Sequence, residues 1–163
     1  MSSENQTVYM KAADTLFAAE ARCYITIGDK RYNFMNMINL EATFKKNKVE
    51  VPILGKTGKG HKAAGWEGTG KGTMYYNSSV MRKIAEEYKN TGTDTYFDIQ
   101  IVNEDKGTSV GKQEVILKDC NLDSLIIAKF DADGELLDED IEFTFDDFEI
   151  KTGFTELAGF IGE

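Results

Sequence analysis

Several short patterns in this sequence have the residue types to do chemistry, and each fails at one position. Gly65-Trp-Glu-Gly-Thr-Gly70-Lys71 has the glycine-to-lysine spacing of a loop that cradles phosphate on backbone N–H groups. The next residue is Gly72, where a serine or threonine would hold magnesium, and a loop-like run precedes it where a buried parallel strand belongs. Gly55-Lys56-Thr57 has the lysine and hydroxyl, but Glu50 stands where the first glycine should be. Gly58-Lys-Gly60-His-Lys-Ala63 imitates a dinucleotide fingerprint without a strand–turn–helix unit around it. Asp131-Ala-Asp133-Gly134 starts like a calcium loop. Its glycine comes one residue after the second acid and Glu142 does not restore the register, so it reads as a turn. His61, the single histidine, has no cysteine or acid at catalytic spacing and reads as a contact residue. Cys23 and Cys120 lie far apart in strand-like runs and read as small hydrophobes, neither a disulfide framework nor a zinc site. The expectation is a chain with no catalytic residues, no cofactor and no metal.

Composition narrows the class. The chain has 163 residues, of which 41% are hydrophobic, enough for one packed core and too many for a disordered protein. No apolar run approaches the ~20 residues that span a bilayer, and the start, Met1-Ser-Ser-Glu-Asn-Gln-Thr, lacks the basic-then-apolar pattern of a secretion signal, so the expectation is a soluble protein of a reducing compartment. The net charge of −9 is unevenly spread. Residues 45–83 carry nine bases against Glu50 and Glu67, whereas residues 84–163 carry six bases and twenty-one acids, ten of them between Asp131 and Glu149 without one base. Such a surface does not suit binding along nucleic acid, which needs a continuous basic face. The acidic tract reads either as a solvated face or as one half of a head-to-tail attraction between copies.

The elements that would position these residues are mostly strands. Cys23, Ile25 and Ile27 alternate with polar residues up to the turn Gly28-Asp29-Lys30. A long strand is expected over Tyr32–Val51, with Tyr32, Phe34, Ile38, Leu40, Ala42 and Phe44 on one face, and a bulge near Lys45–Asn47 where the apolar positions change phase. About 46–66 reads as a long extended loop. Trp66–Tyr76 alternates again, with Gly68, Gly70, Gly72 and Met74 on one side, and glycines in a strand face imply close approach of another backbone. One helix is expected over about 78–90, capped by Ser78 or Ser79 and ended by Gly92. Strands follow at Tyr96–Asn103, Gln113–Lys118, Leu125–Phe130 and around Ile141, Phe143 and Phe145, where Phe148 and Ile150 break phase. The fold class is mainly β, an antiparallel β-sandwich or barrel with one flanking helix. The expected division is an N-terminal arm over 1–20, helical or extended, a β domain over 21–150, and a C-terminal tail over 151–163.

Lys46–Thr73, and within it Gly60-His61-Lys62, Gly65 and Gly68-Thr69-Gly70, resembles the tail tube proteins of PBSX-like defective prophages and contractile-tail phages. Thr95-Tyr-Phe-Asp-Ile-Gln100 and Leu136–Phe148 are similar to further strands of that family, and the resemblance extends to the inner tube of a clostridial R-type bacteriocin. It implies a β-sandwich subunit, six copies to a ring, one sheet of each joining its neighbours around a lumen, and rings stacked into a tube. The implied partners are other copies of the chain, a surrounding tail sheath, and baseplate and terminator proteins at the ends. DNA would be transient cargo if the particle is a phage, and no stable membrane insertion is expected. Assembly would occur in the bacterial cytoplasm, with release of the tail or tail-like particle on lysis.

In that light Gly55, Lys56, Gly58, Lys59, Gly60, His61, Lys62, Gly65 and Trp66 are expected to form a ring-stacking loop. Asn39, Glu41, Thr43, Glu67, Thr69, Lys71 and Thr73 are expected to line the lumen, although an ordinary solvated face fits them equally and Lys71 departs from an acidic lining. The alternative is a monomeric β-sandwich module that binds carbohydrate or peptide on Trp66, Tyr75 and Tyr76. A secretion-system tube, assembled in the same way, is a third reading.

Overall fold

A computed structural model describes residues 8–162. Its strands are β1 (Ala21–Ile27), β2 (Lys30–Asn33), β3 (Met37–Val51), β4 (Gly60–Tyr75), β5 (Phe97–Glu104), β6 (Lys112–Leu125), β7 (Asp138–Phe145) and β8 (Asp147–Thr152), and the helix α1 (Val80–Thr91) follows β4. All pair antiparallel in the order β2-β1-β5-β6-β7-β4-β3, with β8 on the remaining edge of β6. The mainly β fold with one helix agrees with the sequence. The described part of the N-terminal segment is a single 3-10 turn, Ala12–Asp14, followed by irregular chain that turns again at Ala18–Ala19. It is tied to the β5–β6 turn where Asp14 accepts from the Ser109 N–H and hydroxyl and Asp105 accepts from the Phe17 N–H.

β6 holds the two halves together by changing partners midway. Residues Glu114–Lys118 pair with β8, and Asn121–Leu125 pair with β7. The change occurs at Asp119, whose φ of 54° is the only left-handed value among the described non-glycine residues; its N–H donates to Asp98 Oδ1. Opposite it, Asp146 separates β7 from β8 and donates to the Lys118 carbonyl. The phase break before Phe148 is thus a change of partner. The two halves share one core, in which Ile25, Ile99, Leu117 and Cys120 meet Met74, Ile141, Phe143 and Phe145, with Met81 and Ile84 of α1.

Three expectations need correction. The Tyr32–Val51 strand is broken by the turn Phe34–Asn36, because Phe34 must enter the core; a bulge between Met37 and Asn39 then leaves Ile38 exposed. Gln113–Lys118 belongs to a strand that runs on to Leu125, while 126–137 forms a loop, so Leu125–Phe130 is not a strand. The expected loop over about 46–66 is mostly paired: Lys46 opposes Trp66 and Val51 opposes Gly60, leaving only Pro52–Lys59 as a tip. Glycine and lysine there suggested a loop, but cross-strand hydrogen bonding overrides weak strand propensity.

The glycines of β4 make room for side chains more than for backbone. A Cβ on Gly68 would lie 2.4 Å from the Phe145 ring and one on Gly70 2.2 Å from the Phe143 ring, while one on Gly72 would meet the Asn39 carbonyl at 2.9 Å. Each phenylalanine therefore lies across its cross-strand glycine. The helix is locked by Arg82, whose guanidinium donates to the Glu139 carboxylate at 2.7 Å and stacks over Tyr76 at 4.4 Å. Glu139 is 1% exposed, so removing either partner strands a buried charge. Glu139→Ala is expected to cost about 3–5 kcal/mol in urea unfolding, and Arg82→Met with Glu139→Leu much less than that.

Candidate assembly surfaces

The β3–β4 hairpin is longer than the sheet that supports it. β7 covers β4 only from Gly68 to Tyr75. Beyond that point, Lys45–Val51 and Gly60–Glu67 form a two-stranded ribbon that projects about 20 Å before its tip. Every residue from Glu41 to Lys59 is exposed. Both edges of the ribbon lack a third strand, and the outer edge of β3 is unpaired along its whole length. The expected bulge is present as a register shift between Lys46 and Lys48. Past it, Val49 and Val51 share a face with Lys62 and Gly60, whereas Glu50 opposes His61 and holds Lys59 at 3.2 Å.

The residues expected to form a ring-stacking loop divide between two elements. Gly55, Lys56, Gly58 and Lys59 belong to the tip, and Gly60, His61, Lys62, Gly65 and Trp66 to β4. Gly55 (φ 82°) and Gly65 (φ 93°) have left-handed backbones that suit glycine. Trp66 sits at the root of the ribbon, stacked on Phe44 at 5.1 Å and edge-on to Phe148 at 5.7 Å, with Phe145 at 6.2 Å. Such pairs contribute about 0.5–1.5 kcal/mol each beyond burial, and here they fix the angle at which the ribbon leaves the sheet. Val49, Val51 and Ile53, the odd-numbered apolar positions whose change of phase marked the bulge, were not among the residues expected to form this surface.

The seven residues proposed for the other surface do share a face. Asn39 opposes Thr73, Glu41 opposes Lys71, Thr43 opposes Thr69, and Glu67 opposes Lys45. The same face continues on β7 through Asp140, Glu142 and Thr144, and Asp123 at the β6 bulge borders the same shallow depression. The Thr73 hydroxyl donates to Asp140 Oδ1 at 2.7 Å. Lys71 thus stands between Glu41 and Glu142, and its surroundings are acidic despite its own charge. Sequence reasoning missed the β7 contribution: the alternation of Asp140, Glu142 and Thr144 with Ile141, Phe143 and Phe145 was visible, but not which strand lay alongside.

Trp66, Tyr75 and Tyr76 do not form a stacking platform. Trp66, at the root of the ribbon, and Tyr75, at the far end of β4, are about 30 Å apart, and Tyr76 is covered by Arg82. Among the described residues no group of His, Cys, Asp and Glu side chains could hold a metal ion. Burial raises both thiols, Cys23 to about 11 and Cys120 to about 12, away from the range of reactive cysteines.

The antiparallel sheet thus keeps open edges and a projecting two-stranded ribbon, surfaces on which another strand can pair. Residues 8–151 match the family described as phage tail tube protein, and the chain belongs to that family. It is 37% identical to the phage-like element PBSX protein XkdM of Bacillus subtilis (strain 168) over 141 residues, covering 86% of this chain and 93% of the relative. The fold matches a chain of the PVC sheath-tube complex, an extracellular contractile injection system in its extended state, with a TM-score of 0.60 at 12% identity over 80% of this chain and 88% of that one. It also matches the SPP1 tail tube, with a TM-score of 0.61 at 11% identity over 89% and 83%.

Trp66 is the sole tryptophan and is 37% exposed in the free chain. If the root of the ribbon is covered on assembly, its emission should shift to the blue as concentration rises, in step with light scattering.

Proposed function

We propose that this tail tube protein forms hexameric rings that stack through the β3–β4 ribbon into the inner tube of a contractile phage tail or phage-tail-like bacteriocin. The observation that carries this reading is the ribbon itself. Two strands without a third are marginally stable in water, and unpaired strand edges recruit other strands. The exposed area points the same way. A compact monomer of this mass exposes about 8,100 Å²; this chain of 18.2 kDa exposes 12073 Å².

Within a ring, the edges available in the β3-β4-β7-β6 half are β3 on one side and Asn121–Leu125 of β6 on the other. Pairing β3 of one copy with β6 of the next is a heterologous contact, which forms a ring when the rotation from copy to copy closes. The face bearing Asn39, Glu41, Thr43, Glu67, Thr69, Lys71 and Thr73, together with Asp140 and Glu142, then lines the lumen. Its excess of carboxylates repels phosphate, which suits passage of DNA in a phage and does not hinder an empty bacteriocin tube. The subunit acts as a structural element with no catalytic role. Its partners are its own copies, a sheath around the tube, and baseplate and terminator proteins at the ends, assembled in the bacterial cytoplasm and released on lysis. The arm over 1–20, of which residues 1–7 lie outside the described residues, and the tail over 151–163, whose first two residues complete β8, are taken as segments flanking the sheet domain.

Replacing residues 47–65 by Asn-Gly joins Lys46 to Trp66 through a two-residue hairpin turn in the existing register. This variant is expected to stay folded by circular dichroism yet to form no tubes in negative-stain micrographs at concentrations where the parent does. Full-length tubes from it would overturn the stacking role. Acylation of Lys71 by a reagent too large for the lumen should be at least about tenfold slower in tubes than in free subunits, as expected for a wall that excludes it; equal rates would place Lys71 elsewhere.

A further inference from the structure

β4 also fixes how far apart the two ends of the molecule lie. From Gly60 to Tyr75 it spans about 50 Å. The tip Pro52–Lys59 lies beyond the first end. At the other end Tyr75 pairs with Asp138, Tyr76 donates to the Leu137 carbonyl at 3.1 Å, and loop 126–137 joins β6 to β7.

The two ends are complementary in both polarity and charge. The loop exposes Phe130 (89%) and Leu136 (76%), large apolar side chains that its own chain leaves uncovered. Asp131, Asp133 and Glu135 lie between them. The one lysine of the loop, Lys129, is engaged with the Asp138 carbonyl at 2.8 Å and its carboxylate at 3.4 Å. Among the described residues, no cation pairs with Asp131, Asp133 or Glu135. The tip offers the counterpart: Ile53 and a fully exposed Leu54, followed by Lys56 and Lys59. Only Lys59 has a partner, Glu50, in a solvent-exposed pair of the kind that exchanges at little cost. Some 50 Å of strand prevents tip and loop from meeting within one molecule. The other acidic group, Asp146, Asp147 and Glu149, lies at the ribbon's own end of the sheet, where Phe145 adjoins Gly68, and Lys118 already holds Glu149 at 3.1 Å.

We infer that loop 126–137 is the seat on which the ribbon tip of a second copy, in the next ring, docks. Ile53 and Leu54 of one copy cover Phe130 and Leu136 of the other, and Lys56 and Lys59 face Asp131, Asp133 and Glu135. The inference rests on the stacking role of the ribbon and adds the surface that receives it. A contact between opposite ends repeats identically at every step, which is the condition for unlimited growth.

The test is a charge exchange in the full-length chain, read as the concentration at which tubes sediment. Lys56→Glu with Lys59→Glu, and separately Asp131→Lys with Asp133→Lys, should each raise that concentration about tenfold or more, since like charges then meet. The chain carrying all four changes should return to within about threefold of the parent. If the tip variant fails but the loop variant assembles normally, the ribbon still stacks and its seat lies elsewhere, which overturns this inference alone. If both assemble normally, the inference fails, and the 47–65 replacement decides whether the stacking role fails with it. A second measurement does not depend on charge. Leu54→Cys with Leu136→Cys, in a chain with Cys23→Ala and Cys120→Ala, should give an oxidised ladder of disulfide-linked copies from tubes. Intact tubes without a ladder would exclude the contact.

Discussion

Backbone hydrogen bonding is the constraint on which the rest of this structure depends. Every N–H and C=O removed from water must find a partner, and the sheet of one chain leaves a long row of them without one. The outer edge of β3 and both edges of the ribbon are that row. Many proteins blunt such edges with bulges, inward-pointing charges or very short strands. This one does the reverse over much of its length, keeping β3 in register with β4 from Asn39 to Lys46 and resuming the pairing after a single bulge. An edge held in register over this length is a template, and its lysines act as a brake on indiscriminate pairing while leaving the chemistry of a matching neighbour intact.

The edge is held in place by what lies behind it. Phe143 and Phe145 lie flat across Gly70 and Gly68, so the core face of β4 gains aromatic area without side chains of its own. Glycine alone would weaken a strand; a ring laid across it restores the lost burial. The opposite face of the same residues is then free to be entirely polar. Trp66, Phe44 and Phe148 continue the packing one step past the last strand of the sheet, which is why the ribbon can leave it as an extension of β3 and β4 and not as a frayed loop.

Period-two alternation made most of the strands legible in the sequence, along with the helix, its glycine stop and the bulge near Lys46. What misled was composition: Gly55 to Gly65 has the residues of a loop, and only the pairing of Lys48 with Ala63 through Val51 with Gly60 makes it strand. Pairing between distant segments is invisible in a single sequence. That is also why Asp140 and Glu142 were not joined to the face carrying Lys71, and why Leu125 was assigned to a separate strand. Asp119, a non-glycine residue in a left-handed conformation, gave no local sign that β6 changes partners there. The proposed surfaces were legible as residue sets because alternation groups side chains by face; their neighbours were not, because β7 and β6 come from some seventy residues away.

A subunit built on this plan has reason to wait before it polymerises. Its net charge of −9 keeps free copies apart. A lone ribbon is marginally ordered, so the first contact it makes must also meet the entropic cost of fixing it. One neighbour supplies one edge or one seat, which offsets little of that cost. In the proposed assembly a closed ring presents several seats at once, and each further copy would gain an edge on either side together with a docked tip. The balance shifts from unfavourable to favourable only when these contacts are made together. In the proposed tube, addition of a copy to an existing ring end is therefore favoured over the first contact between two free copies.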